Sequence, residues 1–78
     1  TKISQIIKEH LKGYEDDLTF HDLRMVRGYT HTNIIFDIVI PYSSKISQKE
    51  LFKNLETVIK NEDELYEIVV NFDHNYIS

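Results

Sequence analysis

The sequence predicts a small α+β domain whose elements follow the order helix, strand, strand, helix, strand. This prediction depends on a strand, turn and strand pattern over residues 19–41, on an apolar stripe at helical spacing on each side of that pattern, and on a final segment of alternating apolar residues. A chain of 78 residues forms one domain, residues 1–78, and can bury only a limited core. We therefore expect a partner, a metal or close packing to contribute to its stability.

The predicted hairpin is the framework of the fold. Gly28 is free to adopt a positive φ in its turn, and Pro41 cannot donate to a sheet ladder and should end the second strand. Large apolar residues alternate along that second strand, namely Ile34, Phe36, Ile38 and Ile40.

Two amphipathic helices flank the hairpin. The first helix should end near Gly13, and the second should begin at Ser47, whose side chain can cap it together with Glu50, and should run to about Asn61. Their apolar stripes are Ile3, Ile6, Ile7 and Leu11, and Leu51, Phe52, Leu55, Val58 and Ile59. Residues 66–73 alternate as a third strand, and residues 14–18 form an acidic, solvated connector.

The third strand is expected beside the first and parallel to the second, which gives the spatial order 2-1-3 with both helices on one face of a three-stranded mixed sheet. The helices would then cover a set made up of Leu23, Met25, Ile34, Phe36, Ile38, Ile40, Ile68, Val70 and Phe72. The opposite face would expose Ile35, Val39 and Val69 among Asp37, Asn71 and Asp73. Because an uncovered apolar patch usually marks an interaction surface, a homodimer is the simplest expectation.

Composition excludes several classes of function. The net charge of −4 opposes a nucleic-acid backbone, and the absence of cysteine excludes disulfides and thiolate metal sites. No apolar run is long enough to span a bilayer. We find no nucleophile and base at recognisable spacing, no phosphate-binding loop and no nucleotide fingerprint, so an enzyme is not predicted.

Histidine and carboxylate side chains should meet at one edge of this sheet, where strand ends and the start of the second helix come together. The residues concerned are His21, Asp22, Asp37, Glu50, Asp73 and His74. Such a set suits Zn, Mn, Fe or Co in a site without sulfur. The alternative is structural: His21 is an ordinary strand residue and Glu50 only a cap.

The register of the hairpin bears on this site. If Leu23 lies opposite Phe36, then Asp22 lies opposite Asp37, and like charges in that position destabilise a sheet. Either an arginine, Arg24 or Arg27, or a divalent metal would supply the compensating charge. We interpret His10 and His31 as structural residues, at a helix C-terminus and in the hairpin turn.

Three runs of the sequence, HDLR at 21–24, IIFDIVIP at 34–41 and VVNFD at 69–73, resemble the C-terminal cytoplasmic domain of cation diffusion facilitator transporters. Members of that family are dimeric membrane exporters of divalent metals. The resemblance implies a metallochaperone-like, ferredoxin-like fold that dimerises and in many members binds a regulatory metal.

Within that resemblance His21 and Asp73 match family ligands, whereas the family's other histidines fall at Asn71, at Val39 and at Lys49 or Glu50. The resemblance thus implies either one site, built on His21 and Asp73 and completed by Asp37, Glu50 or His74, or dimerisation without metal.

We therefore expect a dimerisation and metal-sensing domain at the cytoplasmic face of the cell membrane, partnered by a second copy and by a transmembrane part of the same chain. The alternative is a free-standing small α+β module that binds a ligand or a protein through the open sheet face.

Overall fold

The computed structural model describes residues 1–75 and has the predicted element order. The helices are α1 (Lys2–Leu11) and α2 (Gln48–Lys60), and the strands are β1 (Thr19–Arg27), β2 (Thr32–Pro41) and β3 (Tyr66–Asn75). β1 pairs antiparallel with β2, and β3 pairs parallel with β2. The prediction of an α+β, ferredoxin-like fold with a three-stranded mixed sheet and two helices is confirmed.

The predicted strand order 2-1-3 is wrong, because β2 and not β1 is the central strand. β2 is apolar on both faces: Ile34, Phe36 and Ile38 are fully buried, and Ile35 and Val39 on the other face are half-buried. A central position gives such a strand a neighbour on each side. β1 carries His21, Asp22 and Arg24 and tolerates an edge, where charged side chains are common.

The core lies between β2 and the two helices. Its largest fully buried side chains come from all three elements and are Ile7, Ile34, Phe36, Ile38, Ile40, Leu51, Leu55 and Ile59. Leu23, Val70 and Phe72 pack against this cluster as predicted, and the ring of Phe20 meets that of Phe36 edge to face at 6.2 Å. Met25 departs from the prediction with 45% of its surface exposed, because the second half of β1 is exposed along its length.

Both helix starts are capped by side chains. Thr1 and Ser4 form a capping box at α1, and the hydroxyl of Ser47 accepts a hydrogen bond from the backbone N–H of Glu50 at 3.2 Å. α2 ends at Lys60 with Asn61 as its C-cap, close to the predicted end.

The acidic connector is anchored, which the sequence interpretation did not anticipate. The Tyr14 hydroxyl lies 3.2 Å from Nε2 of His10 and accepts a hydrogen bond from the amide of Asn54 on α2 at 3.2 Å. The hydroxyl of Ser44 donates to Asp16 at 2.7 Å. These contacts hold the connector against α2 and the loop after β2.

His10 is the titratable member of this anchor. Partial burial lowers the pKa of its imidazole, because the charged form loses hydration. The position of His10 near the C-terminus of α1 predicts a favoured cation there, whereas its pKa is lowered by burial.

The lowered pKa predicts that acid weakens the fold. The unfolded chain binds a proton at His10 more readily than the folded domain, so this contribution is complete above the ordinary histidine pKa and is lost as the pH falls below it. The free energy of unfolding, measured by urea titration, should therefore decrease from about pH 7.5 to about pH 5.5, and less so in His10→Gln. His31→Gln at the exposed hairpin tip is the control. Equal pH dependence in His10→Gln and the wild type would contradict the assignment.

Candidate metal centre on the open sheet face

One face of the sheet is left without a helix, and we call it the open face. Its residues follow from the strand registers, in which Arg24 lies opposite Ile35, and Ile35 beside Val69. The described set is Thr19, His21, Arg24 and Val26 on β1, Asn33, Ile35, Asp37, Val39 and Pro41 on β2, and Glu67, Val69, Asn71 and Asp73 on β3. The face predicted to lack a helix is therefore found.

A β-bulge in β1 determines what this face presents. The register shifts between His21 and Arg24, so that two residues of β1 stand against Phe36 alone, and Asp22 has a φ of 60°. The bulge allows Phe20 and Leu23, three residues apart, to lie on the same helix-facing side. Their spacing within an alternating strand was the sequence signal for it, and the sequence interpretation missed that signal.

The bulge also corrects the predicted register. Asp22 is not opposite Asp37; His21 is. An imidazole therefore lies directly opposite Asp37, and the two carboxylates remain within 4.8 Å of one another on either side of it.

His21, Asp22 and Asp37 form a compact cluster. Nδ1 of His21 lies 3.3 Å from Oδ2 of Asp22 and 4.0 Å from Oδ2 of Asp37, and one ligand atom from each residue lies within 4.8 Å of the others. Two ligands of a single Zn²⁺ at about 2.0–2.2 Å each are at most about 4.4 Å apart, so a small side-chain rotation suffices for chelation. The donor set of one imidazole and two carboxylates suits Zn, Mn, Co or Fe(II).

The three side chains of the cluster differ in their exposure to solvent, and a cationic side chain lies beside them. The side chains of His21 and Asp22 are more than half exposed, whereas that of Asp37 is 23% exposed. Arg24 occupies the next outward position on β1, and its guanidinium donates to the backbone carbonyl of Asp22 at 3.1 Å. The arginine that the sequence suggested as a counter-charge is therefore beside the cluster.

Asp73 lies on the open face but on the other edge strand. It is beside Val39 in the register and accepts a hydrogen bond from the amide of Asn71 at 3.3 Å. Two strand spacings of about 4.8 Å separate β1 from β3, so His21 and Asp73 of one copy do not meet.

Glu50 and His74 lie on the helix-facing side of the sheet. His74 is beside the buried Ile40 in the register, and its Nε2 lies 3.3 Å from the side-chain amide of Gln48 in α2. The six residues predicted to converge are thus split by the sheet. Grouping them by strand ends ignored the alternation of side chains, which sends Asp73 and His74 to opposite faces.

A groove of about 500 Å³ lies beside the end of α1. Apolar residues line it together with lysines and carboxylates of the connector, among them Leu11, Leu18, Lys12 and Asp17. Charges of both signs line the groove and select no class of ligand.

Comparisons with known proteins identify no relative: no family model, curated protein or solved structure matches this chain. Among the described residues, no helix has the length and apolar character needed to cross a membrane.

The bulge makes a specific prediction about Asp22. Its positive φ is free of strain only for glycine and is disfavoured most by β-branched residues, so Asp22→Gly should keep the stability of the domain and Asp22→Val should lose about 1–2 kcal/mol. Urea unfolding measures both. Thr19→Val, at an exposed position of regular register in the same strand, is the matched control and should change little. Equal stabilities for the glycine and valine variants would contradict the bulge geometry.

Proposed function

We propose that this chain is the cytoplasmic dimerisation and metal-responsive regulatory domain of a divalent cation efflux transporter. The observation that carries the proposal is the position of the cluster formed by His21, Asp22 and Asp37, which lies on the open face beside the apolar side chains of Ile35 and Val39. The resemblance to cation diffusion facilitators supplies the transporter context. The transporter part of the proposal requires apolar spans of about 20 residues elsewhere in the full-length chain.

The open face is suited to a second copy of the domain. Val26 and Val69 are each 49% exposed, and Ile35 and Val39 between them are half-buried. Apolar side chains on three adjacent strands form a patch of the kind that proteins usually cover.

The charges of this face are self-complementary. His21 and Arg24 lie on the β1 edge, and Glu67 and Asp73 lie on the β3 edge. A two-fold axis that runs along β2 between two stacked sheets places β1 of each copy over β3 of the other. Basic and acidic edges then face one another across the contact.

The same symmetry brings two Asp37 side chains near the axis. Burying both carboxylates without compensation is costly, so the contact requires a nearby positive charge. A divalent cation held by His21, Asp22 and Asp37 supplies it. Asn71 of the second copy then lies over His21, and Asp73 of that copy lies over Thr19, the neighbouring outward position of the β1 edge. Binding of metal and binding of the second copy then favour each other to the same extent. A change in how two copies pack would bias an attached transmembrane part.

Metal titration tests the cluster. Calorimetry of the wild type with Zn, Mn, Co and Fe(II) should detect binding in the range of about 1–100 µM, with a dissociation constant raised about tenfold or more in His21→Ala and in Asp22→Gly. Asp22→Gly is useful because glycine retains the bulge and removes only the carboxylate. His31→Ala, a histidine at the far end of the hairpin, is the control. Absence of binding in the wild type would rule out metal sensing and leave dimerisation untouched.

Sedimentation tests the open face. Val39→Lys places a charge against its own symmetry mate in the stacked arrangement, so it should raise the dissociation constant of this contact about tenfold or more. Added metal should strengthen association in the wild type. Tyr29→Lys, at a fully exposed tyrosine of the hairpin tip, is the control. A wild-type chain that stays monomeric at about 1 mM would contradict the dimer.

A further inference from the structure

The two edges of the sheet differ in how they meet solvent. The β1 edge is interrupted by the bulge at Asp22 and carries His21, Arg24 and Arg27. These are devices that protect an edge from pairing with another chain. β3 is ten residues long and pairs with β2 from Tyr66 to Asn75 without a register shift. Its other side pairs with no strand in the described part of the chain.

Hydrogen bonds near the start of β3 show which backbone groups reach that free side. The N–H of Thr32 donates to the carbonyl of Leu65 at 2.9 Å, so Leu65 and every second residue after it are directed toward β2. The carbonyl of Tyr66 instead accepts from Nζ of Lys60 at 2.9 Å. Lys60 thereby covers the first position of the edge. From Ile68 onward the free side presents the N–H and C=O groups of Ile68, Val70 and Phe72.

The side chains of β3 are incompletely covered on both faces of the sheet. Val70 and Phe72 on the helix-facing side are half-buried, although their counterparts on β2 are fully buried. Val69 on the open face is 49% exposed. A further strand beside β3 would cover all three.

We propose that β3 pairs antiparallel with β3 of a second copy about a two-fold axis at Val69, which joins the two sheets into one of six strands. In this register Ile68 lies opposite Val70 and forms reciprocal backbone hydrogen bonds with it on both sides of the axis. Further side chains that lie opposite one another on each side are Tyr66 with Phe72 and Glu67 with Asn71, while the backbone groups of Tyr66 keep their bonds to Asp63 and Lys60.

The register is selected by its side chains. A two-fold axis at Val70 would place Glu67 opposite Asp73, and like charges in directly opposed positions destabilise a sheet. An axis at Asn71 would place Val69 opposite Asp73, an apolar side chain against a charge. Within β3, the axis at Val69 places apolar side chains opposite apolar ones and Glu67 opposite the amide of Asn71. Asp73 then lies opposite Leu65, which precedes the strand, so the register opposes no two residues of like charge. This contact uses the edge and does not depend on the proposed function.

Charge substitution at Val69 tests the contact, in the Val39→Lys background that weakens the open face. Opposed Cα atoms at a non-hydrogen-bonded pair are about 4.5 Å apart, so Val69→Lys and Val69→Glu should each raise the dissociation constant of the edge dimer about tenfold or more. An equimolar mixture of the two should return to within about threefold of the parent, because opposite charges then meet at the axis. Sedimentation velocity gives the masses, and native mass spectrometry identifies the mixed dimer.

The results of this experiment distinguish a dimer formed through the β3 edge from one formed through the open face. In the face-to-face arrangement residue 69 lies over Arg24 of the other copy, so the lysine and glutamate substitutions should act in opposite directions and mixing should not restore association. Val69→Thr, which preserves β-branching without charge, is the control and should retain the dimer. The edge contact is overturned if the Val39→Lys parent is monomeric at about 1 mM, if both charged variants associate as the parent does, or if the mixture forms no mixed dimers.

Discussion

The fold depends on one constraint, which is that β2 is apolar on both of its faces. Four alternate residues of β2 are 0–1% exposed beneath the helices, and Ile35 and Val39 on the reverse side are only half-buried. Such a strand is stable in the centre of a sheet and poorly suited to an edge. With β2 in the centre, the order β1-β2-β3 follows, the helices cover one face, and the other face keeps an uncovered apolar patch.

The candidate metal centre is a consequence of core packing on β1. Phe20 and Leu23 both contribute to the core, but they are separated by an odd number of positions, which a regular strand would send to opposite faces. One extra residue in the strand resolves this conflict, and the extra residue is Asp22 in a left-handed conformation. The bulge places His21 opposite Asp37. The same local irregularity therefore completes the hydrophobic core and assembles the polar cluster.

The features that could be predicted from the sequence are those that depend on residues close to one another in the chain. The helices and strands follow from apolar spacing and from caps such as Ser47, which are readable within a few residues. Strand order does not depend on local signals. The right-handed crossover rule allows β3 to lie beside β1 or beside β2, and the apolar side chains on both faces of β2 favour the order with β2 in the centre. That signal is present in the run at 34–41, but the sequence interpretation uses Ile35 and Val39 to predict an interaction surface and not to choose the central strand.

At the candidate site, the proximity of His21 and Asp37 could be predicted from the sequence, because the hairpin brings these two residues together. The relation of Asp73 and His74 to that pair was misjudged because neighbouring residues in a strand point to opposite faces. The bulge itself required weighing Phe20 against Leu23, a conflict between alternation and burial that no single periodicity test detects.

The two uncovered surfaces of this domain differ in the forces that would hold a partner. On the open face, carboxylates and an imidazole lie among valines and isoleucines, so association there would depend on the charge at the cluster and would respond to cations. The β3 edge offers backbone groups of Ile68 and Val70, which are uncharged and insensitive to metal. If both contacts form, the edge is the permanent one and the face is the regulated one. A divalent cation would then change how paired domains stack without separating the pairs, because it acts on Asp37 and leaves the β3 backbone unchanged.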